Sequence, residues 1–302
     1  MKPILFHVGA VEIPAYLTMI MFGFFAAAIV ARRDGEKAGL DGVAMVDLCI
    51  LMLVLGVVGA RLLAVLTDGF LQDFVHLCTN SKLVDPIDTA VRFCTSDSQC
   101  GGDYLCDPLA QAAVVAGDRK SMCYPPQDCL AAFKFWQGGL TFYGGVLLAA
   151  PGGFLYAKRR KLGALRSADL LAPALMIALA VGRIGCFLNG CCYGSQTDSG
   201  LGVLFPGHLA ERHPTQLYES VFAFALFVVL RWVLRPRLAR DGQLFGAMLA
   251  LYGTFRIGLE FVRDDPRGAL GPLSTSQLIG IPLIAIGVIF LLRNRTAAQP
   301  EV

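Results

Sequence analysis

The chain is predicted to be an all-α polytopic membrane protein with seven transmembrane helices, its N-terminus outside and its C-terminus cytoplasmic. Three observations predict this. The composition is apolar, with mean hydropathy +0.59, 55% hydrophobic residues and 16% charged ones, against about 25% charged in a soluble domain. Apolar stretches recur at the length a bilayer demands, about 20 residues each. The basic residues gather in alternate connections, the pattern that sets membrane orientation. A net charge of +3 is too small to imply a nucleic-acid partner.

The opening MKPILFHVGAVEIP lacks the charged n-region, short apolar core and cleavage site of a secretory signal. The seven predicted segments are Pro14–Ala31, Val43–Leu66, Gly139–Ala157, Ala168–Leu188, Thr215–Leu234, Gln243–Val262 and Gln277–Leu292. The third and fourth contain Gly144, Gly145, Gly152, Gly153 and Pro173, which membrane helices tolerate when neighbours satisfy the freed backbone.

Charge then orients the segments. The first connection holds Arg32, Arg33 and Lys37, the third Lys158, Arg159, Arg160, Lys161 and Arg166, and the fifth Arg235, Arg237 and Arg240. The C-terminal tail holds Arg293 and Arg295, whereas the alternate connections carry only Arg212 in one and Arg263 and Arg267 in another. Odd-numbered connections are therefore expected in the cytoplasm.

The second connection is then extracytoplasmic. It is polar and contains Cys78, Cys94, Cys100, Cys106, Cys123 and Cys129. An even count in an oxidising compartment predicts a disulfide framework. A metal site is the competing reading, but no histidine lies among the central cysteines and paired CxxC knuckles are missing. Residues 67–137 are thus expected to be a disulfide-rich insertion, and residues 1–66 and 138–302 one transmembrane domain.

Ionisable residues inside a span are costly and face a cavity or a partner. Arg183, Arg256, Glu260, Arg61 and Glu219 are such residues. By the predicted orientation Arg61, Arg183, Glu219, Glu260 and Arg263 lie toward the outer half, with Arg256 deeper. Arg256 and Glu260 are four apart and share a helix face, which suits an internal ion pair. Several arginines in one leaflet suit a phosphate, which guanidinium binds bidentately, and in a bilayer that phosphate is a phospholipid headgroup. Arg231, near the inner end of its segment, is expected to snorkel to the interface. His213 is a candidate acid or base, although a loop histidine is more often only solvated. Cys186, Cys191 and Cys192 are expected to pack as small hydrophobes or to form a local bridge.

The residues GRIGCFLNGCCYG, then HPTQLYE, then YGTFRIGLEFVRDD, with GGLTFYGG and VGARL before them, resemble the prolipoprotein diacylglyceryl transferase family. The resemblance touches all seven segments. It implies transfer of a diacylglyceryl group from phosphatidylglycerol to the lipobox cysteine thiol of a preprolipoprotein signal peptide. The implied place is the outer leaflet of the bacterial cytoplasmic (inner) membrane, with glycerol phosphate released and no metal or cofactor. It assigns catalysis to Arg183, Arg256 and Tyr143, and substrate binding to Arg61, Tyr16, Asn189, Gly194, His213, Glu260 and Arg263.

The chain departs from the family pattern at three positions. Cys186 stands where asparagine is frequent, Cys191 where glutamate is frequent, and Tyr143 where a glycine-flanked histidine occurs. An ordinary tyrosine pKa near 10 makes a poor base, so the thiol would be activated by the positive field or by a group such as His213. The alternative reading is a diverged, non-catalytic membrane module that binds phospholipid or lipoprotein. A transporter ranks below both, because no inverted repeat is visible and the charges gather toward one face.

Overall fold

A computed structural model describes residues 1–8, 11–67, 70–79, 105–107, 122–124, 126–134, 141–238, 240–263, 269–270 and 273–292. All seven apolar segments are helical. They are α1 (Ala15–Lys37), α2 (Gly42–Thr67), α4 (Phe142–Arg159), α5 (Ala164–Asn189), α6 (Thr215–Val228) continued by a π-helical turn (Val229–Leu234), α7 (Gln243–Glu260) and α8 (Thr275–Leu292). A further helix, α3, spans Phe70–Thr79. Among the described residues, four helices are long and apolar enough to cross a membrane: Ala15–Lys37, Gly42–Leu66, Ala164–Asn189 and Thr215–Leu234. The protein is therefore a mostly helical, multi-pass membrane protein.

Among the described residues, the expectation of helices alone misses three antiparallel strand pairs. They pair β1 (Ile4–Val8) with β2 (Val11–Pro14), β3 (Leu105–Asp107) with β4 (Met122–Tyr124), and β5 (Ala269–Leu270) with β6 (Leu273–Ser274). β2 runs directly into α1 and β6 into α8, short pairings that no hydropathy window detects.

The chain divides into two compact units, Met1–Cys49 with Tyr156–Val302, and Ile50–Leu155. In the first unit α1 packs on α5 through small residues. A Cβ at Gly23 would lie 2.9 Å from the Ala178 carbonyl, and one at Gly185 would lie 3.3 Å from the Tyr16 carbonyl. Helices α7 and α8 approach in the same way, with Gly287 against Ala250 and Gly253 against Ile284. Membrane helices associate through such close contacts because lipid is as apolar as leucine. The core is built from Ala172 and Met176 of α5, Leu226 and Phe227 of α6, Leu230 of the π turn, and Leu244, Ala247 and Met248 of α7. Leu17, Met21, Phe22, Phe25 and Ile29 of α1 face outward, as suits a helix bathed in lipid.

Two polar contacts fix the first unit away from its core. Asp169 of α5 accepts the backbone N–H groups of Gly242 and Phe245, each at 2.7 Å, and so caps the start of α7, which has no side-chain cap of its own. Asp34 of α1, 1% exposed, pairs with Arg231 and Arg235, each at 2.8 Å. Arg231, expected to snorkel, has a carboxylate partner here. It is held inside by a buried carboxylate and stacks on Trp232, 5.4 Å from its ring centroid. A paired guanidinium no longer has to reach water.

In the second unit Gly59 of α2 and Gly144 of α4 meet backbone to backbone, and a Cβ on either would clash with the other's carbonyl. Cys78 at the end of α3 is bridged to Cys129. Cys106 and Cys123 are opposite one another in the β3–β4 register. The remaining predicted bridge partners, Cys94 and Cys100, lie outside the described residues.

Candidate functional site

The penultimate turn of α5 carries Arg183, and the helix end is set by Gly190 in the left-handed region, φ 76°. Glycine takes this conformation without a Cβ penalty. The chain reverses there, and Cys191 N–H donates back to the Cys186 carbonyl at 3.2 Å. Cys192 also has positive φ, 66°, an uncommon conformation for a residue with a side chain. Helix α6 holds the reversal in place. Thr215 Oγ1 donates to the Cys192 carbonyl at 2.7 Å and Gln216 Nε2 donates to the Cys191 carbonyl. Both side chains are fully buried.

Glu219, one turn further along α6 and fully buried, is the hub of the polar network. It receives Arg183 Nη2 on Oε1 and faces Arg183 Nε with Oε2, both at 3.0 Å. Tyr252 of α7 donates its hydroxyl to the same Oε1 at 2.7 Å. Arg263 Nη1 stands 3.9 Å from Oε2. One turn past Tyr252, Arg256 pairs with Glu260 at 2.8 Å, the ion pair expected from their spacing. Tyr252 and Arg256 are four residues apart on one face of α7, and Tyr252 bonds Glu219, which brings the second ion pair next to the first.

Gly194 closes the site from the loop side. Its N–H donates to the His213 carbonyl at 2.8 Å, and it bridges to Arg263. A Cβ there would meet Thr215 Cγ2 at 2.8 Å and His213 Cβ at 3.0 Å, and would run into the Val262 carbonyl. His213 bonds Tyr218 through Nδ1 at 3.1 Å. Tyr16 opens α1 where that helix crosses Gly185, within electrostatic reach of Arg183 and the three cysteines. Asn189 is the last residue of α5, two positions before Cys191.

Cys186, Cys191 and Cys192 are free thiols, so no local bridge joins them. Their sulfurs all lie within 4.8 Å of one another, a donor set and spacing that suit a soft metal ion. The neighbouring Cys186 and Cys191 thiols, with help from the Arg183 and Arg263 guanidiniums, hold the Cys192 thiol below its ordinary range.

The sequence profile of the family described as prolipoprotein diacylglyceryl transferase matches residues 3–83 and 108–293. The chain belongs to the prolipoprotein diacylglyceryl transferase family. The unmatched residues 84–107 fall inside the cysteine-rich connection. Among proteins named phosphatidylglycerol–prolipoprotein diacylglyceryl transferase, that of Clostridium tetani is 29% identical over 294 residues, 95% of this chain and 96% of the relative. The Geobacter sulfurreducens protein is 32% identical over 295 residues, 95% of this chain and 92% of its own. A Clostridium perfringens protein of the same name, numbered 2, is 37% identical over 180 residues, 58% of this chain and 70% of its own.

In this transferase-family chain the first unit assembles Tyr16, Arg183, Asn189, Gly194, His213, Arg256, Glu260 and Arg263. Arg61 and Tyr143 belong to the second unit. There Arg61 donates to the Ala132 carbonyl at 2.8 Å and the Ala131 carbonyl at 2.7 Å, and lies over the Phe74 ring. The candidate residues picked from sequence leave out Tyr252, Thr215, Gln216 and the hub Glu219, although Glu219 was visible as a charge inside a span. Their signal is polarity on an otherwise apolar helix face, and Thr215, Gln216 and Glu219 sit together on the first turns of α6.

Proposed function

We infer that this chain transfers the diacylglyceryl group of phosphatidylglycerol to the cysteine thiol of a prolipoprotein. The observation that carries the reading to named residues is the posture of Arg183. Its Nη2 donates to the buried Glu219 while its Nε makes no hydrogen bond among the described residues, so the guanidinium keeps donor capacity for a second anion. A phosphodiester is the anion that a membrane offers in quantity. Family membership and the shared name of the relatives support the same substrates.

The chemistry follows from the charges. The acceptor thiol gives its proton to water, and its sulfur attacks the glyceryl carbon that bears the phosphate. A carbon–sulfur bond forms as the carbon–oxygen bond breaks, and the electron pair leaves on the phosphate oxygen as glycerol phosphate. Arg183 and Arg256 stabilise the charge that develops on that oxygen, the role in which fixed donors are most effective. Glu219, Tyr252 and Glu260 position the two guanidiniums. Arg263, Tyr16, Asn189, Gly194 and His213 line the same site. Arg61 and Tyr143 complete the set assigned through the family resemblance.

We further propose that all seven helices span a bacterial inner membrane, with the N-terminus outside and the C-terminus in the cytoplasm. Residues 1–66 and 138–302 form the transferase domain, and residues 67–137 an extracytoplasmic insertion. The site then opens to the outer leaflet, where the lipobox of a signal peptide arrives. The positive-inside distribution of lysine and arginine supports this orientation.

The test is direct. Purified protein, phosphatidylglycerol and a lipobox peptide are incubated, and the diacylglyceryl adduct is detected by mass. No adduct under conditions where another member of the family turns over would favour the non-catalytic reading. Full activity in Arg183→Ala would remove Arg183 from the mechanism.

A further inference from the structure

We propose that Cys186, Cys191 and Cys192 form a three-thiolate site for a thiophilic cation of the Zn2+ class, with a fourth position that takes an incoming thiol. The second half of this proposal rests on the transferase reading. The first half stands on geometry alone.

Three sulfurs lie within 4.8 Å of one another, and Cys191 Sγ and Cys192 Sγ are 3.7 Å apart. Zinc–sulfur bonds of about 2.3 Å in a tetrahedron put sulfurs about 3.8 Å apart, so small side-chain rotations close the set. The backbone that presents them is fixed from outside. Gly190 reverses the chain, and the buried Thr215 and Gln216 hold the Cys192 and Cys191 carbonyls. The positive φ of Cys192 is a strained choice that such clamps sustain, and strain of this kind gathers at ligand sites. Outer contacts that fix ligand orientation are what a metal site requires. The negative charge of three thiolates is met by Arg183, one turn before Cys186 on the same helix face, and by Arg263, whose backbone bridges to Gly194. An odd number of thiols also leaves one unpaired whichever disulfide forms.

A site with three protein ligands keeps one position for substrate. The proposed reaction needs a deprotonated acceptor thiol. The carboxylates of the network are already engaged, Glu219 with Arg183 and Tyr252, and Glu260 with Arg256. A thiol that coordinates the cation gives its proton to water and its electron pair to the metal. The sulfur then attacks the glyceryl carbon, as in the proposed reaction.

The experiment uses reduced, detergent-solubilised, full-length protein under anaerobic conditions. Titration with Co2+ is expected to produce thiolate-to-cobalt charge-transfer bands that saturate at one ion per chain and are displaced by Zn2+. The bands should vanish in the double variant Cys191→Ser, Cys192→Ser and persist in Cys49→Ser. On the unmutated protein, Zn2+ should slow alkylation of these three thiols by about tenfold, read by peptide mapping and reversed by a chelator. Alkylation rates indifferent to Zn2+, or bands that survive in the double variant, overturn the site.

A lipobox peptide should then shift the cobalt bands, and its Cys→Ser counterpart should leave them unchanged. Full transfer by chelator-stripped protein overturns the thiol-binding half and leaves the transferase reading intact. Metal binding without transfer under any loading overturns the transferase reading and the thiol-binding half with it, and leaves the metal site standing.

Discussion

Arg183 of α5 and Glu219 of α6 meet through one hydrogen bond, Nη2 to Oε1 at 3.0 Å, with Nε and Oε2 also 3.0 Å apart as a charge contact. The hydrogen bond and the opposite charge together fix which edge the guanidinium turns to the carboxylate. Arg183→Ala is expected to lower the transfer rate by about 10²–10³-fold, the cost of losing one preorganised donor at a developing oxyanion. Arg183→Lys should not restore the rate, because an ammonium makes a point contact. Single-turnover transfer to a lipobox peptide measures both.

Glu219→Gln leaves Arg183 and Arg263 without their shared carboxylate. Breaking a buried pair from one side costs about 3–5 kcal/mol, so thermal unfolding in detergent should move down sharply. Tyr252→Phe removes one hydrogen bond to Glu219 and should cost about 1 kcal/mol. Equal melting temperatures for these two variants would contradict the placement of Glu219 as hub.

Gly194→Ala forces a methyl group onto Thr215, His213 and the Val262 carbonyl. Overpacking of this kind costs about 1–3 kcal/mol and displaces the loop that bears Cys191 and Cys192, so stability and transfer should fall together. Gly182→Ala is the matched control. Its Cβ would meet nothing within 4 Å, and a mid-helix alanine is favoured over glycine.

Much of this site is legible in the chain itself. Arg256 and Glu260 are one helical turn apart, and that spacing alone predicts their contact. Arg183 stands out because an arginine in an apolar segment demands a reason. The link between Arg183 and Glu219 is 36 residues long in sequence and belongs to no local period, so nothing in the sequence names the partner. Tyr252 stays hidden for another reason, since a tyrosine on an apolar helix has the same pattern as a core aromatic. Asp34 misleads in the opposite direction. It follows Arg32 and Arg33 and reads as part of a charged connection, yet it is buried and captures Arg231.

Asp34→Asn should separate stability from chemistry. Removing the charge leaves Arg231 and Arg235 without their carboxylate, and about 3–5 kcal/mol is expected to be lost. Tyr16 and Asp34 sit 18 residues apart on α1, about 27 Å along its axis. Transfer per folded molecule should therefore stay near the parent value. A proportional loss of rate and folded fraction would support this, and a rate loss in fully folded protein would oppose it.

The Cys78–Cys129 bridge spans 51 residues of sequence. Non-reducing peptide mapping should recover the linked pair, and Cys78→Ser should expose Cys129 to alkylation. Loss of a bridge over a loop of this size is expected to destabilise the second unit by about 2–4 kcal/mol, read as faster proteolysis of residues 67–137.

Helix α7 is fastened at its start and at its middle. Asp169 grips its first backbone N–H groups, and Glu219 grips Tyr252 two turns later. Such a rod has lost its screw freedom, because it can neither slide along its axis nor turn about it without breaking a contact. The bearing of Arg256 is then set by arithmetic, by the number of residues between the two fastenings. One extra residue between Phe245 and Tyr252 would swing everything beyond it through about 100° and aim Arg256 at lipid. The spacing of this helix is as much a part of the site as the arginine it carries.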